Sequence, residues 1–347
     1  MTPSRRRTCP WVLLFLTVMA GAGTLILTTQ TPTKKYNRSL VTMATFSNLP
    51  VVTSPSSFRK VTKSLAELRQ SVTELSDHVL FFNRVPKSGS EMLVLLMQWL
   101  QGRNGFRHIR LPGGNARKLN RTQQEELVEE VTQKVRDEAV PVTFDRHVYF
   151  LNFSQFDRQS PTYINLVRDP IEKAASRFYY ARVTRNPRNP DLHKVPTIKP
   201  RKFSTNNFDQ CVQLQHPECI FKSGKIYDLT IPYFCGHYDW CSALNDQRAL
   251  ERAKANVERY FPVVGILEEL NATLALLENK IPYFFRGIQT IYFEDLMEPH
   301  HNRNRKRPQH ISRKTRQHLE KILDTEYDFY YWLRARLLQQ HNEIKLH

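Results

Sequence analysis

The residues best suited to chemistry lie in a short polar run, Arg84-Val85-Pro86-Lys87-Ser88-Gly89-Ser90, between the apolar stretches Val79-Leu80-Phe81-Phe82 and Met92 to Leu100. A strand, a loop and a helix in that order make a cradle for an anion, because the N–H groups of the loop and of the helix start converge on one point. Gly89 permits close backbone approach, Ser88 and Ser90 add hydroxyl groups, and Lys87 supplies a positive charge. The pattern G-x-x-x-x-G-K-[ST] is absent, so this is not a Walker A loop. A plain turn is the other reading of the loop taken alone.

A second apolar run, Thr162 to Val167, reads as a buried strand ended by Arg168-Asp169-Pro170, with Ser176 in the helix that follows to about Val183. Ligands of doubly wound sheets collect at the carboxyl ends of strands. Arg168 and Ser176 are therefore candidates for gripping a second phosphate, and two anion sites suit a nucleotide phosphorylated at two positions. An ion pair of Arg168 with Asp169 or Glu172 is the alternative.

These groups need a scaffold. Residues 246–260 read as a helix, Val263 to Ile266 as a strand, Glu268 to Asn279 as a helix, and the chain from about Ser312 as one long helix. Pro187 to Pro200 and the very basic His300 to Arg307 read as loops. Strands alternating with helices predict a parallel sheet covered on both faces. The predicted domains are 1–9 cytosolic tail, 10–29 membrane anchor, 30–78 luminal stem and 79–347 catalytic domain. Within the stem, Val61, Leu65, Leu68, Val72 and Leu75 form either a short heptad seam that supports an oligomer (a trimer) or an ordinary amphipathic helix.

The chain of 347 residues carries 51 Lys plus Arg against 33 Asp plus Glu, a formal charge of +18, which implies a polyanionic partner. The N-terminus narrows the choice. Arg5, Arg6 and Arg7 precede an apolar run from Pro10 to Leu27, about long enough to cross a bilayer, with the arginines holding the N-terminus in the cytosol. Ala20-Gly21-Ala22 also reads as a signal-peptide cleavage site, but Leu25, Ile26 and Leu27 continue the run beyond it. On either reading the bulk of the chain enters the secretory pathway, which excludes nuclear nucleic-acid binding. Cys211, Cys219, Cys235 and Cys241 are then expected to pair locally, 211 with 219 and 235 with 241, among three possible connectivities. A zinc site using His216 and His237 has no usual spacing, so no metal is expected. Asn37, Asn120, Asn152 and Asn271 head glycosylation sequons.

The loop Arg84–Ser90, the segment Tyr163–Pro170 and Ser176 resemble the signatures by which Golgi carbohydrate sulfotransferases bind 3′-phosphoadenosine 5′-phosphosulfate (PAPS). Arg146–Phe153, Ile231–Gly236 and Val264–Leu270 resemble, more narrowly, the 2-O-sulfotransferase branch, on its uronyl and Pipe side rather than its heparan sulfate side. The resemblance implies a P-loop-like sulfotransferase fold, a type II Golgi membrane protein with a luminal catalytic domain, PAPS as donor, and no metal. It implies that Lys87, Ser88, Gly89 and Ser90 hold the 5′-phosphosulfate and that Arg168 and Ser176 hold the 3′-phosphate. His147 falls on the general base, and Arg84 and Arg286 on substrate-contacting arginines. Lys87 would also stabilise the leaving oxygen. The heparan sulfate enzyme has a histidine two residues before the base, where this chain has Asp145. Asp145 is expected to orient the imidazole or to contact the acceptor. Its negative charge disfavours heparan sulfate and favours a dermatan or chondroitin uronic acid, or a glycoprotein glycan. A catalytically silent binder of acidic glycans is the rival reading. A luminal kinase lacks both the Walker A loop and the metal-binding Asp pattern.

Overall fold

The computed structural model describes residues 75–113, 116–184, 205, 207–221, 229–296 and 310–346. The expected anchor, the stem up to residue 74, Asn37 and the two basic loops lie outside them. Among the described residues no helix is long and apolar enough to cross a membrane.

Five strands form one sheet: β1 (Ser76–Asn83), β2 (Arg107–Arg110), β3 (Val142–Arg146), β4 (Pro161–Val167) and β5 (Val263–Ile266). Their order is β2-β3-β1-β4-β5, and every pairing is parallel. Leu80 to Phe82 in β1, Tyr163 to Val167 in β4 and all of β5 are buried, as continuous apolar runs are when helices cover both faces. The connecting helices are α1 (Ser90–Asn104), α2 (Arg121–Asp137), α3 (Pro170–Thr184) and α4 (Gln247–Tyr260). After β5 come α5 (Leu270–Lys280), α6 (Arg313–Ile322) and α7 (Asp324–Lys345).

The strand order decides where a ligand goes. From β1 the chain crosses towards β2, and from β4 it crosses the other way, towards β5. Right-handed crossovers then place α1 on one face and the α3–α4 segment on the other. The two connections diverge between β1 and β4, so a crevice opens at their carboxyl ends. Arg84–Ser90 and Arg168–Pro170 are the loops that flank it.

Four sequence expectations are corrected. β1 begins at Ser76, inside the segment assigned to the stem, where the Ser76 N–H donates to the Ser160 carbonyl at 3.0 Å. Its polar start, Ser-Asp-His, hides the strand. β2, with three charged or titratable residues in four, α2 and β3 fall where the sequence pattern assigns no element, and β3 shares only Arg146 with the motif Arg146–Phe153. The Glu268–Asn279 helix starts as a 3-10 turn, Leu267–Glu269, ahead of α5. The long C-terminal helix breaks at Leu323. There the Asn245 amide donates to the Ile322 carbonyl at 2.9 Å, while its oxygen accepts from the Thr325 hydroxyl at 2.9 Å. One inserted side chain thus satisfies groups on both sides of the break.

Candidate active site

Arg84 carries the β1 ladder one residue past the strand. Its N–H donates to the Arg146 carbonyl at 2.8 Å, and its own carbonyl accepts from His147 Nδ1 at 2.9 Å. A carbonyl can only accept, so the proton of a neutral His147 sits on Nδ1 and Nε2 keeps its lone pair. Burial, then the positive charge of Arg84, lowers the His147 pKa from 6.5; the Arg84 carbonyl opposes this and Arg117 adds to it. The imidazole is neutral at pH 7 and free to take a proton at Nε2.

The Arg84 side chain is itself fixed. Nη1 pairs with Asp145 Oδ2 at 2.6 Å, Nη2 pairs with Glu91, and Nε reaches Ser90 Oγ at 3.4 Å. Asp145 is fully buried, and His108 Nε2 (3.1 Å) and Arg110 Nε (3.3 Å) complete its shell. Burial raises the Asp145 pKa, but hydrogen bonds from His108 and Arg84 and the charges of Arg84 and Arg110 outweigh it, and the carboxyl settles at about 2. Asp145 therefore neither bonds to the imidazole nor presents an oxygen to an acceptor, contrary to the sequence expectation, and the case it made against heparan sulfate lapses. It orients His147 at one remove, through Arg84. Asp145→Asn should cost about 3–5 kcal/mol of stability, the usual range for breaking a buried ion pair. It should also lower turnover more than donor affinity. Chemical denaturation and single-turnover kinetics check both, and wild-type turnover in the folded variant would contradict this role.

In the loop, Lys87 (φ 63°) and Gly89 (φ 80°) both adopt left-handed backbone, which turns successive N–H groups inward. Glycine suits the φ of Gly89, and a Cβ there would lie 2.7 Å from Leu267 Cδ1, so that side chain would have to shift. Ser88 departs from expectation. Its hydroxyl is buried and donates to the Val85 carbonyl at 2.8 Å, which leaves it no hydroxyl proton for a ligand. Ser90 Oγ accepts from Arg84, so its own proton remains to donate.

The Lys87 ammonium lies 3.4 Å from the centre of the Tyr180 ring. Burial, followed by the charges of Arg168 and Arg177, brings its pKa down to about 8. Three cations therefore crowd one crevice. Ser176 is half-buried on α3, one turn before Tyr180 and on the same face. Arg168 Nη2 pairs with Glu172 at 3.4 Å and Nε lies 3.8 Å from Glu268, while Arg316 holds Glu172 at 2.9 Å. The ion pair weighed as the alternative for Arg168 is thus present, and a second anion would have to join or displace those carboxylates.

Protonation of these groups sets an expected pH profile. The base works only when His147 is neutral, so kcat/KM should rise with pH along a limb below 6.5. The cradle works only when Lys87 is charged, so kcat/KM for the donor should fall as pH rises through about 8. A bound anion favours charged lysine, so kcat at saturating donor should hold to higher pH. Initial rates from pH 5 to 10 test this. An alkaline limb at the ordinary lysine value of 10.5 would contradict it.

The Arg286 backbone lies at the far end of α1 from the loop. The carbonyls of Phe284 and Arg286 accept from Asn104, the last residue of α1, each at 3.1 Å. α1 starts at the loop and runs ~22 Å away from it at 1.5 Å per residue. The FFRG segment packs there because Phe284 stacks edge-on against Phe106. The cysteines pair as expected, Cys211 with Cys219 and Cys235 with Cys241. Cys211, His216 and Glu218 come close enough to share an ion, but the Cys211 sulfur is taken by its disulfide. Asn120 and Asn271 are exposed, whereas Asn152 is half-buried with its oxygen accepting from Ser154.

Sequence reasoning missed Glu91, His108 and Arg110 around Asp145, and Arg177 and Tyr180 around Lys87. A signal existed for one pair: His108 and Arg110 lie two apart on β2, which puts them on one face, and Arg110 is in register with Asp145.

A parallel α/β sheet with a cationic loop and a neutral histidine at its switch point is an arrangement able to hold an anionic ligand. The chain belongs to the sulfotransferase family, whose model matches residues 72–332. It is similar to uronyl 2-sulfotransferase of Homo sapiens, 32% identical over 274 residues, 77% of this chain and 64% of that protein. It is similar to the uronyl 2-sulfotransferase homolog pip of Drosophila melanogaster, 32% identical over 275 residues, 75% of this chain and 52% of the relative. Heparan sulfate 2-O-sulfotransferase 1 of Gallus gallus is 33% identical over 229 residues, 65% of this chain and 61% of its own length. The chain therefore spans less than two thirds of each of these relatives.

Proposed function

We propose that this protein transfers a sulfuryl group from PAPS to the 2-hydroxyl of a uronic acid in an acidic glycan. The carrying observation is His147, held through Nδ1 by the Arg84 carbonyl with Nε2 left as acceptor, on the strand end beside a cationic anion cradle. The residues fit the donor: Lys87, Gly89 and Ser90 would hold its phosphosulfate, and Ser176 and Arg168, once freed from its carboxylates, its 3′-phosphate. The donor supplies an activated sulfuryl group. His147 takes the acceptor's hydroxyl proton at Nε2. Lys87 then stabilises the charge that grows on the leaving phosphate oxygen. No step in this scheme calls on a metal.

Relatives named for uronyl and for heparan sulfate substrates match at similar identity. The match to the uronyl relatives covers more of this chain, which supports a uronic acid as the acceptor unit. The apolar run Pro10 to Leu27 supports a type II membrane anchor with a luminal catalytic domain, the resemblance adds the Golgi, and Val61 to Leu75 form either an oligomer seam or an amphipathic helix on its own domain. Incubating the full chain with radiolabelled PAPS and a panel of desulfated glycosaminoglycans tests the proposal. Label is expected in a uronic-acid polymer. Glycan binding without transfer to any polymer would instead leave a silent binder.

A further inference from the structure

A second cationic cavity lies apart from the donor cradle. It encloses about 260 Å³ between the start of α2, the short turn Phe153–Phe156, the Cys235–Tyr238 segment and α4. That is below the ~300–1,000 Å³ of drug-sized sites, so it suits one sugar unit or its acidic substituent. Among the described residues no carboxylate lines it. Arg121 bonds only Gln155 and stacks over Phe156, and Arg252 bonds only the Cys235 carbonyl and faces Tyr238; neither forms an ion pair among the described residues. The Leu119 N–H donates to His237 Nδ1 at 3.0 Å, which puts the histidine's proton on Nε2. That nitrogen is buried, and the ring also meets the Tyr149 backbone carbonyl, since the Tyr149 N–H is taken by Arg117. Burial, Lys118 and Arg146 hold the His237 pKa at about 4, with only the Tyr149 backbone acting the other way, so the ring is a neutral donor at pH 7. Two guanidinium groups with no carboxylate among the described lining residues, beside Phe156 and Tyr238, make an anion site with an aromatic rim.

The cavity is tied to the base. Phe150 and Asn152 in its wall follow His147 by three and five residues, so the wall lies within ~18 Å of His147 even for a fully extended chain. The Tyr149 ring sits 6.0 Å from the His237 ring, and the strand-end segment is anchored where the Tyr149 N–H donates to the Arg117 carbonyl. Arg117, two residues before Leu119, is also one of the charges acting on His147.

We infer that Arg121 and Arg252 form an acceptor subsite that takes the carboxylate or sulfate of a sugar neighbouring the one that reacts. The inference deepens the sulfotransferase reading and rests on it. The test is calorimetric binding of two defined hexasaccharides of alternating uronic acid and hexosamine, one native and one carboxyl-reduced outside the central unit. A hexosamine-sulfated third probe separates carboxylate from sulfate as the anion. Wild-type protein should bind an acidic probe at least tenfold more tightly than the reduced one. Arg121→Gln with Arg252→Gln should erase that preference and leave affinity for 3′-phosphoadenosine 5′-phosphate unchanged, which also reports an intact fold. If the pair unfolds the protein, Arg252→Gln alone should weaken acidic-probe binding severalfold. Wild-type preference retained in a folded variant would overturn the subsite. Absence of transfer by wild-type protein to any probe would instead sink the sulfotransferase reading, and the binding comparison would still decide the subsite.

Discussion

His147→Ala is expected to lower turnover by ~100-fold or more, the usual loss for a general base, while affinity for 3′-phosphoadenosine 5′-phosphate stays within twofold of wild type. The expectation follows from what the side chain touches. Among the described residues its one hydrogen bond runs from Nδ1 to the Arg84 carbonyl, and Arg84 is held independently by Asp145 and Glu91. Removing the imidazole therefore leaves the cradle's supports in place. The acid limb of the pH profile should vanish with it, because that limb reports the neutral fraction of His147. A merely structural histidine would show the opposite pattern: a loss of stability, an unchanged pH dependence and turnover near wild type. Pre-steady-state rates with titration calorimetry separate the two.

Lys87→Ala should weaken donor binding by ~10- to 100-fold, as loss of a hydrogen bond to a charged group does, and should lower turnover by ~100-fold or more. The two losses differ because the ammonium meets some charge in the bound donor and more on the leaving oxygen as the bond breaks. The pKa of about 8 gives an independent readout. Near pH 8 about half of the lysine is neutral, and a bound anion pulls it to the charged form. Binding of 3′-phosphoadenosine 5′-phosphate at pH 8 should thus take up protons, seen as heats that vary with buffer ionisation enthalpy, and Lys87→Ala should abolish most of that uptake. Unchanged donor affinity, unchanged rate and unchanged proton uptake would together remove Lys87 from the site.

Most of the cradle was legible because its chemistry is local. Strand, loop with Gly89 and helix are consecutive, and apolar runs around Phe81 and Leu166 mark buried strands without help from tertiary structure. What stayed hidden depends on cross-strand neighbours. Asp145 reads as an acid beside a base, yet β2 brings His108 and Arg110 over it, and β2 is four residues, three of them charged or titratable, that no periodicity reveals. Ser88 reads as a ligand hydroxyl, but the turn needs that hydroxyl for the Val85 carbonyl. Arg286 matches a family motif in sequence, and only the course of α1 shows that it sits at the far end of that helix. The break at Leu323 turns on Asn245, nearly eighty residues earlier, so no window on the C-terminal helix could show it.

The central claim is the transfer of sulfate to one position, and positional analysis of the product tests it most directly. Full-length protein, PAPS and a desulfated uronic-acid polymer would be incubated, the chain cut to disaccharides, and the sulfated carbon assigned by mass spectrometry and NMR. The account predicts sulfate on the 2-oxygen of the uronic acid, formed by wild-type protein and lost in His147→Ala. Sulfate on the hexosamine, or a 2-O-sulfated product that survives His147→Ala undiminished, would contradict it.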